Sequence, residues 1–152
     1  MLELLQSSAL ATAVAQSQML SAGLSAVHLV GFTLVMGSGV VFSLRLLGVL
    51  FGDQPADALV RPASRALGIG LLTSITTGFL MFMPRAQNAV ASPFFRAKVA
   101  LIVAAVLTHL LVQRRLATSV SSHRAVVRAS GAFGLMLWIG VALAACAFIL
   151  LE

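Results

Sequence analysis

Five side chains in this sequence carry donor chemistry beyond what packing requires: His28, Met81, Met83, His109 and Cys146. Imidazole nitrogen, thioether and thiolate together suit copper(I), and a histidine with a methionine suits the axial positions of a heme iron. The rest of the catalytic repertoire is thin. Glu3, Asp53, Asp57 and Glu152 are the only acids, and all stand at ends or between long apolar runs. Paired carboxylates, a Ser/His/Asp arrangement and a phosphate-binding glycine loop are therefore missing, and hydrolytic and phosphoryl-transfer chemistry have no foothold. A single cysteine permits neither an intramolecular disulfide nor a cysteine-based zinc site.

The elements that must position these groups follow from composition. Of 152 residues, 60% are hydrophobic and 9% charged, against about a quarter charged in an ordinary soluble domain. Lipid can solvate such a surface, provided that every backbone hydrogen bond is closed internally, as in helices or a closed barrel. Barrel strands alternate with period two, whereas the runs here are long, unbroken and rich in Leu, Ala and Val. The fold class is thus all-α, an integral membrane four-helix bundle in one domain over residues 1–152.

Residues 1–20 are too polar to span and have no positive segment ahead of them, so they are expected as a short N-terminal interfacial helix. Spanning segments are expected at 21–51, where the apolar run covers Ser21 to Leu44, and at 66–84, 95–115 and 129–151, each near the roughly 20 residues needed to cross. Gly52, Asp53, Gln54 and Pro55 supply turn chemistry, and Arg61, Pro62 and Arg65 read as a basic connection. Residues 85–93 read as an exposed loop, with Gln87, Asn88 and Ser92. Thr118 to Arg128 forms a polar connection.

The net charge of +6 belongs to lysines and arginines at the ends of apolar runs, where they face lipid headgroups and not nucleic acid. Arg45, Arg61, Arg65, Arg114, Arg115, Arg124 and Arg128 flank one side; Arg85, Arg96 and Lys98 flank the other. The positive-inside rule makes the first side cytoplasmic, with both termini periplasmic in a bacterial inner membrane.

At about 1.5 Å per residue, His28 lies roughly 9 Å outward of the middle of its helix, and Met81, Met83 and Cys146 fall at similar depth. On the first helix His28, Gly31, Val35, Gly39 and Phe42 share a stripe, and on the second Gly70, Ser74, Thr77 and Met81 do. Small residues on such stripes let a cofactor approach or let helices pack closely. His28 accordingly has two readings: a ligand or quinone contact, or an imidazole hydrogen-bonded to a neighbouring helix. His109 falls toward the inner face, about 13 to 16 Å from His28 in height, too far for a shared bis-histidine heme. Lys98, at the outer end, is placed to snorkel or to meet an anionic headgroup. Ser122-His123-Arg124 bears a faint likeness to a stretch in succinate dehydrogenase membrane subunits, but it falls in a loop.

Several motifs together are more specific: the polar amphipathic start, His28-Leu29-Val30-Gly31, Leu44-Arg45-Leu46-Leu47-Gly48, Thr77-Gly78, Phe95 with Lys98, and Leu137-Trp138. Through them nearly the whole chain resembles a family of small bacterial inner-membrane proteins known as a domain of unknown function. That resemblance implies four spanning helices and a redox group bound near His28. The chain departs from the family pattern at Ser43, where an acidic residue often stands, and at Cys146, where arginine is common. A looser similarity, by analogy only, is to copper-resistance membrane domains and four-helix b-type cytochromes.

The expectation is a redox-associated subunit holding a b-type heme or contacting quinone near the outer face. His28 is the principal ligand and Met81 its partner, with Gly31, Gly39, Thr77 and His109 as further cofactor-binding candidates. Two alternatives stand beside it. One is a non-catalytic anchor or accessory subunit that packs against other membrane-protein subunits or copies of itself; the other is copper handling through His28, Met81, Met83 and Cys146.

Overall fold

The computed structural model of the protein describes residues 2–50, 56–118 and 124–151. The turn expected at 52–55 and positions 122–123 of the Ser122-His123-Arg124 stretch lie outside the described residues. Every described element is helical: α1 (Leu2–Gln6), α2 (Ala9–Gln16), α3 (Gln18–Leu47), α4 (Ala56–Phe82), a 3-10 turn (Met83–Arg85), α5 (Ala86–Ala91), α6 (Pro93–Thr118) and α7 (Arg124–Leu151). Four segments are long and apolar enough to cross a membrane: Gln18–Leu47, Leu59–Ala91, Pro93–Arg115 and Arg124–Leu150.

Local chemistry sets the helix ends. Ser17 caps α3, its hydroxyl accepting from Leu20 N at 3.2 Å, so the helix begins three residues before the apolar run. It stops at Leu47, short of the expected residue 51. Gly48 there takes a left-handed φ of 78°, and bonds from Gly48 N to Arg45 O and from Val49 N to Leu44 O close the end as a Schellman motif. Ser92 caps α6, with Phe95 N at 3.1 Å from its hydroxyl, and Pro93 occupies the first helical turn, where a missing N–H costs nothing.

Three expected non-helical stretches are helix instead. α4 reaches back to Ala56, so Arg61, Pro62 and Arg65 are not a connection. Val60, Ala63 and Leu67 are buried at helical spacing while Arg61, Pro62 and Arg65 are exposed, so burial of one stripe propagates the helix through the proline. Residues 85–93 are not an exposed loop, because Ala86 and Ala89 are buried and α1 packs on α5 and the 3-10 turn. Residues 1–20 form no single helix: Ser8 caps α2 through Ala11 N, breaking the segment in two. Gln6 Nε2 donates to Pro84 O at 3.1 Å, which ties α1 to the α4–α6 hairpin.

α3 is the central helix, packed against α4 on one side and α7 on the other, and α7 packs on α6. α4 and α6 are linked by side chains, through Ser64 with His109 at 3.0 Å and through the stacked rings of Phe82 and Phe95, 5.5 Å apart. A central layer of Val35, Leu67, Ala105, Trp138 and Val141 fills the bundle, and a second cluster of Phe42, Leu46 and Val60 lies toward the arginine-rich end. Both stripes read from the sequence turn inward: Gly31, Val35, Gly39 and Phe42 are buried on α3, as are Gly70 and Thr77 on α4.

Candidate functional site at the His28 end of the bundle

The α3–α4 crossing explains most of the small residues. A Cβ at Gly31 would come 2.8 Å from Ser74 Oγ and 3.0 Å from Ser74 N, and one at Gly70 would come 2.8 Å from Gly31 O. Neither position admits even a methyl group. These glycines bring two backbones together and leave no room for a cofactor between them. Gly39 has the same character, because the buried Trp138 indole lies where its side chain would be. Gly31 and Gly39 are therefore packing residues rather than cofactor-binding ones.

One turn beyond the crossing, toward the end where α1 and α2 lie, the half-buried His28 ring sits over Gly78, whose Cβ would meet His28 Cε1 at 3.0 Å. His28 Nδ1 is 3.0 Å from Thr77 Oγ1. Thr77 Oγ1 in turn donates to Thr73 O at 2.7 Å, so its only hydrogen is already directed away from the imidazole. With the hydroxyl hydrogen on Thr73 O, the threonine oxygen accepts, Nδ1 carries the ring proton and Nε2 is a lone pair. Ser74 O, which can only accept, also lies within hydrogen-bonding reach of the ring. A second-shell hydroxyl that fixes a histidine tautomer is the arrangement that prepares the other nitrogen for a ligand.

Lys98, on α6, lies within electrostatic range of His28, with its amino group 6.0 Å from the Phe148 ring centroid. Phe95 links Phe82 and Phe148, at centroid distances of 5.5 and 5.8 Å. This end of the bundle thus holds an imidazole, an amino group and, beside the latter, an aromatic cluster; sequence depth puts Lys98 and His28 at one end, and the packing leaves them within electrostatic range.

Met81 lies one turn from the His28–Thr77 contact, its Sδ 4.0 Å from Ser25 Oγ, and Met83 is buried in the 3-10 turn. Cys146 is exposed, one position around α7 from the inward-facing Ala145, so the copper set does not converge. Among the described residues no three His, Cys, Asp or Glu side chains gather to hold a metal ion. A porphyrin ligated by His28 and Met81 would have to lie between α3 and α4, which the contacts at Gly31, Gly70 and Gly78 forbid; the residues do not fit a heme in that position. His109 stands apart. Its partner on α4 is Ser64 and that of His28 is Thr77, thirteen residues or roughly 20 Å further along the helix, beyond the height estimated from sequence.

Four apolar helices, closely packed through glycines, define a small multi-pass membrane protein in contact with lipid. The chain belongs to a family of unknown function, DUF6644, which it matches over residues 10–150. No curated protein and no solved structure matches it.

Proposed function

We propose that the protein is a quinone-contacting membrane subunit whose head-group site is formed by His28 and Lys98. The observation that supports this most is the contact of His28 with Thr77. With Nδ1–H donated to Thr77, Nε2 is an acceptor within electrostatic range of the Lys98 amino group. A hydroquinone offers one hydroxyl to donate to Nε2 and one oxygen to accept from Lys98, whereas an oxidised quinone has only acceptors. The site therefore favours the reduced form, and Phe82, Phe95 and Phe148 provide apolar contact for the ring. Intramembrane ionisable groups near a membrane surface usually mark such sites.

In this reading the protein lies in a bacterial inner membrane with its arginine-rich end cytoplasmic, and the quinone head group sits near the periplasmic face. The electron carriers belong to a larger complex with which this chain packs as an accessory subunit. Two measurements test it. The purified chain in mild detergent is titrated with reduced and oxidised decylubiquinone; saturable binding is expected, tighter for the reduced form. His28→Leu and Lys98→Met are each expected to weaken it about tenfold, or about 1.4 kcal/mol. No saturable binding, or binding that both variants leave unchanged, overturns the site. Recovery of the chain alone from gently solubilised membranes overturns the subunit assignment.

A further inference from the structure

The second intramembrane histidine has no part in that site, and its surroundings are built differently. His109 is 3% exposed. Nε2 is 3.0 Å from Ser64 Oγ on α4, and the Phe42 ring packs on the imidazole, centroids 4.0 Å apart. Nδ1 is buried and has no partner. The two ring nitrogens diverge, so with Nε2 on Ser64 the other points away from α4. Between α3, α6 and α7 lies a partly open cavity of about 10 Å³ whose lining includes Ser43, Thr108, Ser130, Gly134 and Trp138 as well as His109.

At the α3 crossings the buried glycines are filled by a neighbour, Gly39 by Trp138 and Gly70 by Gly31. Here a gap persists, and its wall is unusually polar for a membrane interior. A buried nitrogen without a partner is strongly disfavoured, and the volume is near the roughly 10 to 15 Å³ that one water needs, given two or more polar partners. Those partners are present. Ser130 Oγ donates to Val126 O at 2.9 Å, which leaves its lone pairs as acceptors.

We infer that this cavity is a binding site for a single ordered water that donates to His109 Nδ1 and to Ser130 Oγ. His109 then carries its proton on Nε2, donated to Ser64. The water gives the imidazole a route for ring-proton exchange that packing alone denies it. The layer of Val35, Leu67, Ala105, Trp138 and Val141 seals this site from His28, so the two histidines are separate stations.

The test uses the full chain in lipid bilayers with ring-¹⁵N histidine and water-edited solid-state NMR, the water protons being the probe. The His109 resonance is assigned by its loss in His109→Gln. Rapid transfer from water to His109 Nδ1 is expected, with Nε2 as the protonated nitrogen. Gly134→Ala places a methyl 3.0 Å from Ser43 Oγ, pushing that hydroxyl into the gap; it is expected to abolish the transfer and leave His28 unchanged. A ring that receives no magnetisation from water in the wild-type chain overturns the inference, as does transfer that persists in a folded Gly134→Ala protein. If that variant does not fold, the wild-type measurement decides alone.

Discussion

At the scale of single residues, one hydroxyl decides the chemistry of His28. Thr77 Oγ1 donates to Thr73 O and is placed to accept from the imidazole, an arrangement that puts the ring proton on Nδ1. Thr77→Val keeps the shape and removes the acceptor. It is expected to give a mixture of tautomers, visible as a protonated Nε2 population in ¹⁵N spectra, and to lower stability by about 1 kcal/mol. Thr77→Ser keeps the oxygen and should keep the single tautomer. A Thr77→Val protein with an unaltered His28 spectrum would show that Ser74 O alone fixes the proton. The sequence placed Thr77 and His28 on inward stripes and Met81 at the depth of His28, but which of Gly70, Ser74, Thr77 and Met81 meets the ring depends on how far each helix is rotated.

At the scale of elements, the glycines divide into two classes that sequence spacing alone does not separate. Gly31 and Gly70 touch the opposing helix, whereas Gly68 and Gly37 have nothing within 4 Å of an added Cβ. Gly70→Val is expected to destabilise the protein by about 1–3 kcal/mol, since the obstructing atom is backbone and cannot turn aside. The same variant should loosen the His28–Thr77 bond, which lies two turns further along the crossing. Gly68→Ala should be neutral or stabilise by up to about 1 kcal/mol through helix propensity. Denaturation of both variants in one detergent checks the contrast; equal effects would mean that the α3–α4 crossing is not the tight contact described. Even where a cap carries its own chemistry, as at Ser92 and Pro93, the polar composition reads as loop and the helix, which starts at Pro93, is expected only from residue 95. Element boundaries were also missed where burial overrode a local signal: Pro62 suggests a break, but Val60, Ala63 and Leu67 hold the helix together on α3.

At the scale of the whole molecule, the two histidine stations are roughly 20 Å apart on opposite sides of an apolar layer centred on Val35, Leu67 and Trp138. Reconstituted in liposomes with an imposed pH gradient, the protein is expected to leave proton leak at the level of empty vesicles, and Trp138→Ala, which opens the layer, is expected to raise it. A leak through the wild-type chain that His28→Leu or His109→Gln abolishes would mean that the stations communicate.

Composition and periodicity determined the solvent, the number of spanning helices, the inward stripes on α3 and α4 and the depth of each histidine. These are properties of one helix in lipid, and a 3.6-residue repeat with a fixed rise encodes them without reference to a neighbour. Tertiary structure decided the rest: that Gly31 and Gly39 are filled by Ser74 and Trp138, that Cys146 turns outward, that Lys98 comes to His28, and that His109 borders a gap. Such pairings depend on the rotation and crossing of helices, and in lipid those are set by which small residues allow two backbones to touch, a choice made jointly by both partners.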